Sequence, residues 1–407
     1  MSMPDNDREF WVRCDTLFTP YQRRRDWLLH IVEGKIRRML PATGADDVPA
    51  DKVFHRPGAM VAPGFVDLHV HGAAGCDFMD GTEATLSAAA ATLARHGTTS
   101  FLATTMSAPQ ARLESTVRSL ASFRTSPAQG ARMIGIHLEG PYLNPLRSGT
   151  HDTPFLRGTD VGEFRKLAAL SENRLCRITI APEMDPGLKV VREAAERGIQ
   201  VSLGHSDATE EQTIAAIDAG ATHITHTGNA MRPFHQREPG IFGVALTDDR
   251  VFAEIIADGV HLHATTLQLL LASKGVDRTL LVTDGLSAVG MPDGNYPLGD
   301  KTVTVRGGEC RDEKGRLAGS TLTLDRAVRN LVEWLDVPLH EALTAASATP
   351  ARSMRMGDSI GMIRPGADAD LIFLSRDLVV LHTMVAGRTV YSRAFSDFQT
   401  QTSDRKT

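Results

Sequence analysis

Little in this 407-residue chain leans to an extreme, and several absences narrow what it can be. It has four cysteines (Cys14, Cys76, Cys176 and Cys310), far apart and without a CxxC spacing. That excludes a disulfide framework and a thiolate zinc knot. No apolar run approaches the ~18 residues that a membrane span requires. The first residues, MSMPDNDREF, are polar and acidic rather than a signal sequence, so a cytoplasmic location is expected. Basic excess is absent too: the formal net charge is -5, which argues against nucleic acid as a general partner but leaves room for a small anionic substrate. There is no internal repeat and no low-complexity stretch.

What is present is alternation. Strand-like apolar runs are read at 64–70, 98–105, 132–139, 178–184, 200–205, 221–227, 252–257 and 280–284. Ala- and Leu-rich helical segments fall between most of them, at 82–96, 110–124, 161–172, 187–198, 209–219 and 263–274, with two more at 322–335 and 339–354. Strands alternating with helices imply parallel βα units, and eight units of this length suit a (β/α)8 TIM barrel. The barrel is expected over 61–357. Short strand-like runs at both ends, 1–60 and 358–395, predict one small β-sandwich domain built from the two termini, followed by a disordered tail at 396–407.

Polar residues sit at the ends of the apolar runs, where barrel active sites are built. His69 and His71 in GFVDLHVHG share a strand face with Asp67, because residues two apart point the same way. Glu139 ends the run IGIHLE, and a carboxylate there is costly to bury unless paired or metal-bound. His137 shares its face and is kept as a supporting or substrate-side candidate. His205 follows Gly204, which permits close backbone approach. His223 and His226 lie three apart, so a straight strand cannot aim both inward; His226, nearer the end, is preferred. Asp284 ends LLVTD and is placed as a general base working near neutral pH. Any of these alone has a bland reading as a packed or exposed residue. Together they predict a metal centre, with imidazole and carboxylate donors suited to zinc first and iron second.

The motifs GFVDLHVHG, HLEGPYLNP, GHSDA, THTGNAM, REPGI, ADGVHLH, LVTDGLSAVG and LAGST follow one another along nearly the whole chain. In that order they resemble the amidohydrolase superfamily and, within it, the N-acetylglucosamine-6-phosphate deacetylases. HLEGP with NAM and REPG is the specific part, since the first motif is common to many amidohydrolases. The resemblance implies metal-dependent hydrolysis of an acetamide on a phosphorylated amino sugar. It implies Glu139, His205 and His226 as metal ligands and Asp284 as the catalytic acid/base. His69 and His71 would hold a second ion, so one or two ions per subunit are implied. It further implies substrate contacts from Thr150, His151, Asn229, Ala230, His261 and the loop Leu317, Ala318, Gly319, Ser320. Arg237 would reach the phosphate in a neighbouring subunit, which implies a homodimer or a higher homo-oligomer. Around Leu146, Arg147 and Ser148, where many relatives carry Lys, the chain departs from the pattern. Competing expectations are the N-acetylgalactosamine 6-phosphate epimer, another amide or ring hydrolysis without a phosphate, and a non-catalytic scaffold. The scaffold reading should have lost ligands that this chain keeps.

Overall fold

The computed structural model describes residues 9–43, 47–124 and 129–393. The tail expected to be disordered lies outside them.

Eight strands form one all-parallel sheet in sequence order: β1 (Phe65–Val70), β2 (Thr98–Thr105), β3 (Arg132–Glu139), β4 (Leu175–Ile180), β5 (Gln200–Leu203), β6 (Ala221–Ile224), β7 (Phe252–Ile255) and β8 (Thr279–Leu281). Every residue of β1 and β2 is buried, as expected of strands covered on both faces. The covering helices are α1 (Glu83–Arg95), α2 (Gln110–Ser122), α3 (Val161–Leu170), α4 (Lys189–Glu196), α5 (Glu210–Asp218), α6 (Gly240–Thr247), α7 (Ala264–Lys274) and α8 (Leu324–Leu335). This is the expected TIM barrel. Local chemistry sets several helix starts. Thr209 and Gln212 form a capping box at α5, and Asp185 accepts the N–H groups of Val190 and Val191 at α4.

The seam between β8 and β1 matters most for function. It is stitched just beyond β8, by residues that belong to the site. The Asp284 N–H donates to the His69 carbonyl at 2.9 Å, and the His71 N–H donates to the Gly285 carbonyl at 2.7 Å. Below them the Thr283 hydroxyl donates to Asp67 at 2.6 Å. Closing the barrel therefore brings His69 and His71 beside Asp284.

The structure differs from expectation in four places. Strand β4 begins and ends earlier than predicted, because Pro182 has no N–H for the ladder and a short 3-10 turn follows. The predicted helix 339–354 is two, Leu339–Ala346 and Ala348–Ser353, broken where Ser347 adopts φ −132° and ψ −75°. Helix α6 was not anticipated; its sequence GIFGVALT is apolar all round and shows no helical stripe. Nor was a three-stranded antiparallel sheet of Gly294–Leu298, Lys301–Arg306 and Glu309–Arg311. It leans over the barrel mouth, where Lys301 Nζ donates to the Thr150 carbonyl at 2.8 Å and the Gly299 N–H donates to Asp77 at 2.7 Å.

A second sheet draws on both chain ends and forms the small β-sandwich. Its strands run in the order Arg388–Ser392, Val380–Val385, Leu371–Leu374, Met60–Pro63, Glu9–Thr19, Gln22–Val32 and Lys35–Pro41, with Val53–His55 beside Glu9–Thr19. Arg132 of β3 clamps it to the barrel, reaching Asp368 at 2.7 Å and both oxygens of Asp370 at 2.9 Å. Burial pushes the Asp370 carboxyl up to about 6 even with Arg132 opposing it.

Removing the guanidinium leaves Asp370 uncompensated. Arg132→Met should cost about 3 kcal/mol of stability near pH 7.5. With the folded-state Asp370 pKa raised further above its unfolded value, the loss should shrink as pH falls toward 5, where the buried carboxyl takes up a proton. Adding Asp370→Asn should recover much of the loss. Urea unfolding of the three proteins at both pH values checks this; a loss independent of pH would contradict it.

Candidate metal centre

The strand ends converge as the barrel predicts. Glu139, at the end of β3, is the hub. Its Oε1 lies 3.3 Å from His69 Nε2, 3.3 Å from His205 Nε2 and 3.4 Å from His226 Nε2. Its Oε2 lies 3.2 Å from both His71 Nε2 and His151 Nε2. Asp284 Oδ1 stands 3.2 Å from His71 Nε2 and 3.5 Å from His69 Nε2. The five histidines, Asp284 and Glu139 itself are all buried.

Local backbone chemistry delivers these side chains. His205, His226 and Asp284 follow β5, β6 and β8 and have φ of 50°, 27° and 48°, left-handed values that non-glycine residues seldom take. The turn lets each side chain leave the strand and face the barrel axis. Two glycines make room. A Cβ on Gly204 would meet the Thr225 Cβ at 2.6 Å, and one on Gly149 would meet His205 Cε1 at 2.9 Å.

The donor set fits a divalent cation. Glu139 Oε1 and His69 Nε2 are buried and make no hydrogen bond. His205 Nε2 and His226 Nε2 approach to 3.1 Å, nitrogen facing nitrogen. Donors placed about 2.0–2.2 Å from a tetrahedral ion stand about 3.3–3.6 Å apart, close to the separations around Glu139 Oε1. Two groups of three donors are preformed: His69, His71 and Asp284, and Glu139, His151 and His205. Glu139 belongs to the second and also reaches His69 and His71 of the first.

Electrostatics gives each group its state. Burial alone would lift Asp284 and Glu139, but the facing His69 and other imidazoles hold both carboxyls well below the usual range. Asp284 is therefore an anion at neutral pH. The desolvation that the sequence suggested would tune it toward neutrality is outweighed by His69 and His71. Burial would likewise lower His71, and Asp284 with Glu139 reverses this, raising it to about 9. His151 goes the other way: burial takes it down to about 4 despite Glu139. Its Nδ1 accepts the Ser107 N–H at 3.2 Å, which leaves a neutral ring with the proton on Nε2.

The cavity above is lined by His71, Glu139, His151, His205, His226 and Asp284 at its floor and by Thr150, Asn229, Ala230, His261, Leu317 and Gly319 among its walls. Ala318 and Ser320 do not line it. Ala318 is fully buried, and the Ser320 hydroxyl turns away to the Thr283 carbonyl at 2.6 Å. Arg237 is exposed and outside the cavity, its main-chain N–H 3.3 Å from the His235 ring. His223 is also outside; it stacks on Phe252 at 5.3 Å, which favours the choice of His226. His137 lies beneath the centre, bonded to Thr179 at 2.8 Å and edge-on to His69.

The match to known proteins agrees with this geometry. Residues 60–390 match the model of the amidohydrolase family, Amidohydro_1. The chain belongs to the amidohydrolase family. It is 40% identical to N-acetylglucosamine-6-phosphate deacetylase of Vibrio furnissii, over 83% of this chain and 84% of the relative. It is 38% identical to N-acetylgalactosamine-6-phosphate deacetylase of Escherichia coli O157:H7, over 93% of this chain and 98% of the relative. Among solved structures it resembles N-acetyl-D-glucosamine-6-phosphate deacetylase of Mycobacterium smegmatis in complex with N-acetyl-D-glucosamine-6-phosphate, with a TM-score of 0.87, 35% identity, and coverage of 95% of this chain and 100% of that one. The family implies a divalent metal. No helix among the described residues is long and apolar enough to cross a membrane.

Sequence reasoning missed two kinds of residue. Met106, Leu286 and Leu298 give the cavity an apolar side; Met106 and Leu298 lie outside the motifs, and Leu286 lies inside LVTDGLSAVG without a role read for it. Asp258 of ADGVH is of the second kind. Its Oδ2 receives His261 Nδ1 at 2.7 Å, and its Oδ1 accepts the N–H groups of Val260 and His261 at 2.8 Å. Nδ1 thus carries the proton, and Nε2 is left free of this pairing. Burial lowers the His261 pKa, Asp258 more than restores it, and the net shift is upward. Asp258→Asn should therefore drop the His261 pKa below its wild-type value, since burial remains and the counter-charge is gone. A histidine proton NMR titration checks this; an unchanged pKa would show that Asp258 does not set the charge of the ring.

Proposed function

We propose that the protein hydrolyses the acetamide of N-acetylglucosamine 6-phosphate to glucosamine 6-phosphate and acetate. The observation that carries this reading is the convergence of Glu139, His205, His226, His69 and His71 beside the Asp284 carboxylate, in a chain whose relatives deacetylate amino-sugar 6-phosphates. Glu139, His205 and His226 would hold the primary divalent ion, zinc before iron, and His69 with His71 a second. Such an ion supplies Lewis acidity, polarising the amide carbonyl and making water a stronger acid.

The chain's own groups do the rest. Asp284, anionic and at the cavity floor, takes a proton from the attacking water and returns it to the departing amine, because an amine leaves poorly unless protonated. His151, neutral with its proton on Nε2, donates a hydrogen bond where negative charge grows on the carbonyl oxygen. The apolar side of the cavity receives the acetyl methyl, and His261 and the Asn229–Ala230 backbone face the sugar phosphate. Arg237, exposed on its own subunit, completes the phosphate site of a second copy, so the working form is a homodimer or a higher homo-oligomer. The enzyme acts in the cytoplasm.

The E. coli relative favours a second reading, the galactosamine epimer, which differs at one hydroxyl. Turnover on both 6-phosphates and on unphosphorylated N-acetylglucosamine, alongside metal quantification, separates these readings. N-acetylglucosamine 6-phosphate should be the fastest substrate, and unphosphorylated sugar should be poor. Equal turnover without phosphate would refute the phosphate role. Asp284→Asn should keep the ion at Glu139, His205 and His226 and lose roughly 10²–10⁴-fold in kcat. Near-normal kcat would remove Asp284 from the proton path.

A further inference from the structure

Directly beneath the centre, the barrel interior holds charged groups where aliphatic filling is usual for this fold. Arg177 of β4 and Glu254 of β7 form an ion pair there, with both side chains fully buried. A buried pair is a poor stabiliser, since apolar residues of similar volume often do as well or better. Its contacts suggest another use. Glu254 Oε2 lies 3.3 Å from His69 Nδ1 and accepts the main-chain N–H of His226 at 3.0 Å. One oxygen thus meets both sides of the metal centre. With the proton of His69 directed at Glu254 from Nδ1, the lone pair sits on Nε2, which faces Glu139 and Asp284. His226 is held by the same oxygen at its strained φ of 27°.

Arg177 is itself anchored. Its Nη2 donates to Ser202 at 3.1 Å, and hydroxyl contacts run from Ser202 to Thr225 at 2.5 Å and on to Thr179 at 2.9 Å. Thr179 meets His137, whose ring packs edge-on against His69. The polar layer therefore returns to the ligand from which it started.

We infer that Glu254, fixed by Arg177, is a positioning residue of the metal centre: it sets the tautomer of His69 and the backbone of His226, and so controls how tightly the last ion is held. This rests on the metal-centre reading above.

Two double variants remove the ion pair without leaving a lone buried charge. Arg177→Gln with Glu254→Gln keeps a carbonyl acceptor for His69 and His226. Arg177→Met with Glu254→Leu removes it. The measurements are ions per subunit by elemental analysis, Zn²⁺ affinity by chelator competition, and Tm of the metal-free proteins. The glutamine pair should bind close to wild type. The apolar pair should lose about 10–100-fold in affinity for the last ion to load, with an unchanged or higher metal-free Tm. Wild-type affinity in the apolar pair overturns the inference. Equal weakening in both pairs also overturns it, in favour of a purely electrostatic effect. If the apolar pair does not fold, Glu254→Asp alone, which withdraws the carboxylate from His69, gives the same decision: weaker binding supports the role and unchanged binding refutes it. A wild-type protein that binds no ion would refute the metal-centre reading instead.

Discussion

The Glu139 carboxylate, buried at the axis of the barrel and facing five imidazoles at 3.2–3.4 Å, is the constraint from which the site follows. A carboxylate removed from water needs positive charge nearby. Histidines can supply it only by taking up protons, and imidazolium rings packed at centroid distances of 4.7–5.5 Å would repel one another. A divalent cation supplies the charge without protonating any ring. Deprotonated nitrogens would then be available as ligands, and the orphaned Glu139 Oε1 and His69 Nε2 would gain a partner. The arrangement is hard to explain as a folding core and easy to explain as a cradle for an ion.

Holding that cradle costs backbone strain, and the loops meet the cost. Left-handed non-glycine residues carry about 1–3 kcal/mol each. The carbonyl of each strained residue is bound by a main-chain N–H, from another loop for His205 and Asp284 and from its own loop for His226. The Asn144 N–H donates to His205 at 2.9 Å, the Asn229 N–H to His226 at 3.0 Å, and the Ser320 N–H to Asp284 at 2.9 Å. These donors belong to HLEGPYLNP, THTGNAM and LAGST. The motifs therefore do more than touch a ligand: Ser320, which does not line the cavity, keeps Asp284 in place.

The barrel was legible because apolar runs and Ala-rich segments alternate eightfold, and the candidate ligands because each is a polar residue ending such a run. His226 could be preferred over His223 from position alone, and the stacking of His223 on Phe252 agrees. Helix α6 was hidden because its eight residues are apolar all round and carry two glycines, so no 3.6-residue stripe marks it. The small sheet over the mouth did carry a signal, since KTVTVR alternates exposed and buried positions and two-residue turns join it to both partners, but the flanking strands are only five and three residues long. The apolar side of the cavity was invisible for a different reason: Met106, Leu286 and Leu298 come from separate segments and meet only in the fold.

Glu254 and Arg177 show where motif reading stops. Each stands inside an apolar strand, VFAEI and LCRITI, and a lone charge in such a run could be an outward-facing residue. Only the barrel puts them opposite each other, and only the distances tie Glu254 to His69 and His226. Residues that touch the cavity are written in short motifs because their neighbours in sequence shape the same loop. Residues that act through another side chain need only a strand position and a partner across the barrel. The type of reaction is thus readable from the strand ends. How tightly the centre would hold its last ion depends also on the charged layer beneath the strand ends.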